Sequence, residues 1–408
     1  MRISADRLWS TLMVLAEIGR FCEGGVNRQA LSEGEARAWR QIIAWAREAG
    51  LEVSADPAAN LFLTLPGRQR HRPALLVGSH IDTQPTGGRF DGILGVMAGL
   101  EGLRSMVEQG IQPEHDVMVV GWMNEEGSRF APGMSGSEAF AGVRDLGAIR
   151  SGRENGCDRT LGDVLDAFLA LFADLPRRDL GFVPAAYLEL HIEQGPALEA
   201  AGVDIGIVTG IQGKKTFRVD ISGTAGHAGT VPMAARADSM QAFAALADTL
   251  FSRMRALGPD IRFTIGQVQV EPNAPSVIPS RVWCSIDLRH PDNAILDRGG
   301  QEIMQAARDI RTPCAIEVHR LVDAASNTFD PALRQMIGQV AIRHGLSTMP
   351  LLSTAGHDAR NIVMLCPGAM IFVPSHRGIS HAPQEWTTPQ QVQAGAQVLA
   401  DMMVELSR

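Results

Sequence analysis

Three short apolar runs constrain the fold of this chain more than any other feature of its sequence. They lie at residues 74–77, 116–122 and 369–373. Each is too short for a helix and lacks the polar alternation of a half-exposed strand, so each predicts a strand buried on both faces. Helical stretches lie between them, at residues 92–108 and 161–173. The pattern predicts an α/β domain in which a mostly parallel sheet is flanked by helices.

The hydrophobic pattern of the sequence changes from about residue 216. Strand-like segments occupy residues 216–222, 261–270, 281–289 and 315–321, and segments with helical spacing occupy residues 234–257 and 294–310. This βαββαβ order predicts a compact α+β unit with one open sheet face or edge. Apolar, parallel-type strands resume after about residue 326, so the unit is inserted into the first domain. We therefore place the first domain at residues 1–209 and 326–408, and the inserted domain at residues 210–325.

The composition excludes several classes of partner. The 408 residues carry a net charge of -8, which gives no basic surface for nucleic acid or anionic membrane. No apolar run is long enough to span a bilayer, and charged residues interrupt the first apolar stretch, which predicts an amphipathic helix rather than a signal peptide. The five cysteines are scattered and none is in C-x-x-C spacing. We expect a cytoplasmic protein without a disulfide framework.

Polar residues follow the predicted strands at the point where each strand ends. The segment ALLVGSHID ends in His80 and Asp82, DVMVVGWMNEEG ends in Glu125 and Glu126, and AAYLELHIEQG places His191 near a strand end. The carboxyl ends of strands in an open α/β sheet open into one crevice, where ligands bind. We therefore expect these side chains to face one site.

The residue types at this site suit a metal ion. Imidazole and carboxylate groups form a mixed ligand set for zinc, manganese or cobalt. Asp82 lies two residues from His80 and could accept the second ring N–H of a ligating histidine, while Glu125 could remain free as a base beside a ligating Glu126. Each residue taken singly also has an ordinary structural interpretation. Asp91 precedes a predicted helix and could be its N-cap, a single histidine could be hydrogen-bonded in a loop, and the glutamate pair could form a solvated turn.

Several motifs together carry a family resemblance. They are GGVNRQALSEGEAR, GSHIDTQPTGGRFDGILGV, NEEGSRFAP, LHIEQGPALE, GTAGHAGTVPM, GHDA and FVPSHRGISHAPQE. They resemble the amidase/carbamoylase branch of the M20 metallopeptidase superfamily, which includes N-carbamoyl-L-amino-acid hydrolases, β-ureidopropionases and allantoate amidohydrolases. The resemblance runs nearly from end to end of the chain.

The resemblance implies two divalent metal ions per subunit, which would be zinc, manganese, cobalt or nickel. The implied ligands are His80 and His191 for one metal, Glu126 and His381 for the other, and Asp91 for both. His381 comes from the family motif G-I-S-H-x-P-x-E alone, because by spacing His376 is an equal candidate. The resemblance places His357 of GHDA outside the metal shell, in a supporting position.

The resemblance also implies that the inserted unit is a dimerisation or lid domain. It would supply His227, Asn273 and Arg289 to the substrate, with His227 reaching the active site of the partner in a homodimer. Gln194 would join them from the first domain. Two alternatives remain open, since Arg289 could pair with Asp287 and Asn273 could form the turn in EPNAP.

The implied activity is hydrolysis of the carbamoyl C–N bond of an N-carbamoyl amino acid, with Glu125 as the base and a small ureido substrate that carries a carboxylate. Allantoate hydrolysis is the second alternative, although the segment of residues 84–86, QPT, is more similar to the carbamoylases and β-ureidopropionases. An aminoacylase or aminopeptidase is less favoured, because peptidases of the superfamily have an acidic ligand in place of His191. A non-catalytic binding protein is disfavoured because no metal or base position is missing. Thr354 and Arg377 differ from the residues that are usual at these positions in the family, and both could alter the shape of the pocket.

Overall fold

A computed structural model describes residues 1–408 of the chain. The chain divides into two compact units, Met1–Gly210 with Thr328–Arg408, and Ile211–Asn327. The helices are α1 Ala5–Ala16, α2 Glu33–Glu48, α3 Ile93–Glu108, α4 Ser135–Ala141, α5 Leu146–Arg150, α6 Leu161–Ala170, α7 Ala197–Ala201, α8 Ser239–Arg255, α9 Asn293–Asp309, α10 Pro331–Arg343, α11 Ala359–Ile362 and α12 Pro389–Leu406. None of them combines the length and the apolar composition that crossing a lipid bilayer requires.

Seventeen strands complete the fold. They are β1 Arg20–Cys22, β2 Gly25–Val26, β3 Glu52–Ala55, β4 Leu61–Leu65, β5 Leu75–His80, β6 Val117–Trp122, β7 Ala186–Ile192, β8 Ile205–Ile211, β9 Gly213–Ser222, β10 Gly226–His227, β11 Arg262–Glu271, β12 Val277–Ile278, β13 Arg281–His290, β14 Ala315–Ala324, β15 Asn327–Thr328, β16 Thr348–Ser353 and β17 Gly368–Val373. Two single 3₁₀ turns lie at Met233–Ala235 and His376–Gly378.

The first unit is built on a nine-stranded sheet. Its strand order is β15-β8-β17-β7-β5-β6-β4-β3, and β16 pairs with β8. The four central strands β17, β7, β5 and β6 run parallel to one another, and every residue in them is buried. The predicted α/β domain with a mostly parallel sheet is therefore confirmed. The sequence interpretation did not assign β3, β4 and β8, and these strands pair antiparallel on either side of the parallel core.

The helices that cover this sheet follow from local sequence. Helix α3 is apolar on nearly all sides and is buried along most of its length, as expected for a helix between a sheet and a second helix layer. Helix α12 begins with a capping box, in which the Thr388 side chain accepts from the Gln391 backbone and the Gln391 side chain accepts from the Thr388 backbone. Pro389 occupies the first helical turn, where its missing N–H costs nothing.

The second unit has a four-stranded antiparallel sheet of order β11-β13-β9-β14, with helices α8 and α9 packed against it. Strand β9 alternates between buried and half-buried residues, and its buried members Phe217, Val219 and Ile221 join the apolar core of the unit. This alternation is typical of a sheet with one covered and one open face. The predicted βαββαβ order is confirmed. Strands β11 and β14 form the two edges of the sheet.

Candidate metal centre

The parallel strands place the predicted polar residues at one edge of the first sheet. Strand β5 lies between β7 and β6 and ends at His80, while Glu125 and Glu126 follow the end of β6. His191 is the second-last residue of β7. Because these strands are parallel neighbours, their carboxyl ends meet, and the structure brings these side chains together as the sequence predicted.

His80 and His191 form one half of the centre with Asp91. Their Nε2 atoms lie 3.5 and 3.1 Å from Oδ1 of Asp91. The Nδ1 atom of each ring lies 2.9 Å from a backbone carbonyl oxygen, that of Asp82 for His80 and that of Ile192 for His191. A carbonyl only accepts, so Nδ1 carries a hydrogen, and Nε2, which has a lone pair when the ring is neutral, faces Asp91. When a ring is neutral, its Nε2 and the Oδ1 atom of Asp91 both carry lone pairs. Their close approach then requires a cation between them, either a proton or a metal ion.

Asp91 is held at the start of α3 but does not cap it. The N-cap is Gly92, which makes no side-chain cap bond and has a φ of 67°. A Cβ at residue 92 would overlap the ring of His80, so this position requires glycine on two counts. The N-cap alternative for Asp91 is therefore wrong, and its carboxylate is directed into the centre.

His381 and Glu126 form the other half with the second oxygen of Asp91. Nε2 of His381 lies 3.2 Å from Oδ2 of Asp91 and 3.5 Å from Oε2 of Glu126. His381 has a φ of 55° in a loop after β17, and its side chain is 47% exposed. His376, the alternative candidate, points elsewhere, since its Nδ1 lies 2.7 Å from Oε1 of Glu199. Asp91 thus directs one oxygen to each half, in the arrangement that the resemblance implied for a bridging ligand.

Asp82 contacts His80 in a way that differs from the prediction. Its backbone carbonyl, rather than its carboxylate, receives the ring N–H, and the carboxylate lies 3.6 Å from Nδ1. The carboxylate instead accepts the backbone N–H groups of Glu125 at 3.2 Å and of Glu126 at 3.3 Å. The reason is geometric, because the backbone turns after β5 and brings the carbonyl closer to the ring. Asp82 therefore fixes the glutamate pair as well as His80.

The site carries more negative than positive charge. The ion pairs made by Asp82, Asp91, Glu125 and Glu126 are all with imidazoles. Burial and the charge of Asp91 raise the pKa of Glu126 to about 7. Burial, with the nearby carboxylates Asp358 and Glu126, raises the pKa of Glu125 well above its ordinary value. Buried carboxylates in this number are stable beside positive charge, so the donor set fits divalent cations.

Three groups of side chains have donor atoms close enough to hold one ion. They are His80 with Asp91 and His191, then Asp91 with Glu126 and His381, and then Glu189 with His191 and His357. The third group is already satisfied by hydrogen bonds. Glu189 accepts from Ser79, from Tyr187 and from a backbone amide, and His357 bonds to the Ser353 hydroxyl at 2.9 Å. The first two groups, which share Asp91, are therefore the better metal sites.

His357 and Gln194 lie beside the donor groups. The ring of His357 is 4.5 Å from that of His191, and burial lowers the pKa of His357 well below its ordinary value, so it is neutral. The Gln194 amide nitrogen donates to Oδ2 of Asp91 at 2.8 Å, whereas its Oε1 atom is buried without a hydrogen-bond partner. Gln194 also has a left-handed φ of 56°. An unsatisfied acceptor at this position is suited to an N–H donor of a ligand.

The three predicted residues of the second unit have separate local environments. His227 ends β10 and is exposed, and its Nδ1 accepts the Gly229 N–H at 3.0 Å. Asn273 has a φ of 51° in the turn after β11, in accord with the turn alternative. Arg289 makes a two-point contact with Asp287, at 2.8 and 3.2 Å, which is the pairing that the sequence left open.

Some residues that contact the centre were not predicted from the sequence. Gln84 donates its backbone N–H to Oε1 of Glu126 at 3.1 Å and its side-chain amide to Oε2 at 2.7 Å. Glu385 accepts the backbone N–H groups of Phe90 and Asp91. Both residues lie inside motifs, QPTGG and SHAPQE, but a polar residue in a loop motif has no periodicity that reveals its partner.

Comparison with known proteins agrees with the fold and with the family resemblance of the motifs. The sequence model of peptidase family M20/M25/M40 matches residues 76–405. An N-carbamoyl-L-amino-acid amidohydrolase of Rhizobium meliloti is 37% identical over 409 residues, with 99% of this chain and 97% of that protein covered. An allantoate amidohydrolase of Bacillus subtilis is 33% identical, with 96% and 95% covered.

A solved structure gives the same result in three dimensions. An amidase of the hydantoinase/carbamoylase family from Burkholderia vietnamiensis superposes with a TM-score of 0.88 at 38% identity, covering 100% of this chain and 98% of that chain. The family resemblance seen in the motifs is confirmed by these matches. The chain belongs to peptidase family M20/M25/M40, and within it to the group of amidases.

Proposed function

We propose that this chain is a metal-dependent amidohydrolase that cleaves the carbamoyl C–N bond of an N-carbamoyl amino acid, giving the amino acid, ammonia and carbon dioxide. The observation that carries the proposal is the pair of donor groups sharing Asp91, with Glu125 beside them. The relatives named as N-carbamoyl-L-amino-acid amidohydrolases, at 37% identity over the full chain, support the choice of substrate class.

The proposed ligands are His80, Asp91 and His191 for one divalent ion, and Asp91, Glu126 and His381 for the other. Such ions supply Lewis acidity, which lowers the pKa of a water molecule and polarises a carbonyl group. The hydrogen bonds to the Nδ1 atoms of His80 and His191 hold both rings with Nε2 directed inward. Asp82 fixes the backbone of Glu125 and Glu126 so that one carboxylate ligates and the other stays free.

Glu125 is the proposed general base and acid. Its Oε2 atom lies 3.7 Å from Nε2 of His80, so it stands next to the first half without belonging to either donor group. It would take a proton from the attacking water as the oxygen bonds to the carbamoyl carbon, and return it to the amino group as the C–N bond breaks and ammonia leaves. The remaining N-carboxy amino acid then loses carbon dioxide. The raised pKa of Glu125 suits a group that must both accept and release a proton.

His227 is proposed to stabilise the oxyanion that forms on the carbamoyl oxygen. Because its Nδ1 accepts the Gly229 N–H, the neutral ring carries its hydrogen on Nε2 and offers a donor there. One donor of this kind contributes about 3–4 kcal/mol to transition-state stabilisation. The family resemblance assigns this residue to the active site of the partner subunit, so the proposal requires a homodimer.

A dimer is also supported by the edge of the second sheet. Strand β11 pairs only with β13, so one side of its backbone has no strand neighbour. Apolar side chains accompany this edge, since Val268 and Phe251 are both exposed and Phe251 packs against Phe263. An open apolar edge is a surface that pairs with another chain. We propose that two copies of β11 meet there.

The substrate carboxylate is proposed to bind Arg289, whose planar guanidinium can hold two oxygens at once. Asp287 contacts that guanidinium at two points, so binding of the substrate would exchange one carboxylate for another. Asn273 and the unsatisfied Oε1 of Gln194 are proposed to contact the substrate amide groups.

The experiment that tests the proposal is a Glu125→Gln substitution in the metal-loaded enzyme. Ammonia release from N-carbamoyl amino acids should fall by at least about 10³-fold, because the proton carrier is lost, whereas bound metal should stay at the wild-type level. Wild-type turnover in this variant would remove Glu125 from its role. A panel with allantoate and dipeptides beside N-carbamoyl amino acids tests the substrate class, and allantoate is the second candidate because the Bacillus subtilis relative carries that name.

A further inference from the structure

The carboxylate of Glu385 is buried next to the shared ligand Asp91. We propose that Glu385 is a positioning residue for Asp91 and that its negative charge strengthens cation binding in both halves of the centre. The inference rests on the proposed function, since it needs the two donor groups to hold metal ions. It adds a role for a residue that touches neither the substrate nor the reacting atoms.

The contacts of Glu385 join two loops. Its Oε1 accepts the backbone N–H groups of Phe90 at 2.8 Å and of Asp91 at 3.1 Å. Its Oε2 lies 3.1 Å from the Ser380 hydroxyl, which is also 3.0 Å from Oδ2 of Asp91. Ser380 directly precedes His381 in the chain. Glu385 therefore fixes the peptide that carries Asp91 and the loop that carries His381 with one carboxylate.

Gly88 makes room for this carboxylate. A Cβ at residue 88 would overlap the Oε1, Cβ and Cδ atoms of Glu385. The backbone of Gly88 does not require glycine for its φ, because this residue is not among those with positive φ. The close approach of Glu385 is therefore the reason for a glycine at this position.

The charge of Glu385 is the unusual part of the arrangement. The residue is 1% exposed, and its hydrogen-bond partners are two backbone amides and a hydroxyl, none of which is ionised. The charge of His381 acts on Glu385 only through space, without a hydrogen bond, and burying a carboxylate without a hydrogen-bonded cation destabilises the folded chain. A neutral glutamine could make the same hydrogen bonds, so the fold alone does not require the charge. A divalent cation on the far side of Asp91 would balance it.

A purely structural role of Glu385 would lower metal affinity and metal-free stability together, whereas a role of its charge lowers the affinity alone. In Glu385→Gln the amide oxygen can still accept from the Phe90 and Asp91 backbones, and the new amide nitrogen can donate to Ser380. We expect the metal-free variant to be as resistant to urea as the wild type, or more so. We also expect its dissociation constants for Mn²⁺ or Zn²⁺ to rise by about 10- to 100-fold in both halves.

The measurement is calorimetric titration of the metal-stripped full chain with Mn²⁺, beside urea unfolding of the same metal-free samples. Glu33→Gln is the matched control, because it removes an exposed carboxylate in the first turn of α2 and should change neither quantity. Gly88→Ala is a second variant, since it displaces the Glu385 carboxylate without removing its charge, and it should also weaken cation binding.

Three outcomes would overturn the inference. Unchanged Mn²⁺ affinity in Glu385→Gln shows that the charge has no part in binding. A fall in metal-free stability that accompanies the loss of affinity shows that Glu385 only supports the fold. A wild-type chain that takes up no cation overturns the proposed function first, and this inference with it, whereas the first two outcomes leave the proposed function intact.

Discussion

The two halves of the candidate metal centre are built from different kinds of structure. His80 and His191 lie at the ends of central parallel strands and are 2% and 1% exposed. His381 lies in a loop with left-handed backbone, and its side chain is 47% exposed. The first half lies wholly in the packed core, while the second joins the buried carboxylates of Asp91 and Glu126 to a histidine at the surface. The difference shows that one site can combine residues that also stabilise the fold with residues that contribute only to the chemistry.

Asp91 belongs to both halves, so its loss should have the largest effect. In Asp91→Asn the shared carboxylate becomes a neutral amide of the same shape. We expect both halves to lose metal affinity and kcat/KM to fall by about 10³-fold or more, roughly 4 kcal/mol. Metal content by atomic absorption and ammonia release check this together. If one half keeps full occupancy in this variant, Asp91 does not bridge.

His191→Ala should affect both the metal and the fold. The substitution leaves the Gly92 N–H and the Ile192 carbonyl without their ring partner and removes the packing of the ring against His357 and Phe372. We expect the free energy of unfolding of the metal-free chain to fall by about 2–3 kcal/mol. Urea unfolding followed by circular dichroism measures this change.

His381→Ala is the matched variant in the exposed half. It should abolish binding of one metal ion per chain, while at a pH above about 9, where the raised pKa of His381 no longer contributes, the stability of the metal-free chain changes by no more than about 0.5 kcal/mol. Equal losses of stability in the His381 and His191 variants would contradict the distinction between a core half and a surface half.

The last expected effect is a pH dependence of the stability that His381 contributes to the metal-free chain. The hydrogen bond to Asp91, together with the charge of Glu126 and against the effect of burial, raises the pKa of His381 from about 6.5 to about 9. A raised pKa means that the folded chain binds the proton more tightly than the unfolded chain. The stabilisation is therefore complete below about pH 6.5 and is lost as the pH rises through about 9. The stability difference between wild type and His381→Ala, without metal, should follow this course, and a difference that grows with pH would contradict it.

The same comparison explains how much of the site the sequence could predict. His80, Glu125, Glu126 and His191 follow strand ends, and strand ends are visible in the sequence because buried strands are continuous apolar runs. His381 lies in a loop whose sequence has no period, so only the family motif singled it out from His376. The structure then separates the two histidines, because Glu199 holds one and Asp91 faces the other.

Other details needed the folded chain for similar reasons. The N-cap interpretation of Asp91 followed from its place before a helix, but the N-cap is Gly92, whose positive φ directs the chain so that the Asp91 side chain lies in the centre. The sequence predicted a contact from the Asp82 carboxylate to His80, but the backbone turns after β5 and brings the Asp82 carbonyl to the ring instead. Neither backbone turn is encoded in residue spacing.

The sequence by itself determined the class of fold, the order of the main elements in the second unit and the strand-end residues of the site, because hydrophobic periodicity and burial are local properties of the chain. The tertiary structure decided which donors share a carboxylate, and it revealed the contacts of Gln84 and Glu385. Those contacts join residues that are distant in the sequence, such as Asp91 with Glu385 and His381. The physical reason is that hydrogen bonds and charge pairs depend on distances across the fold, which a linear pattern does not contain.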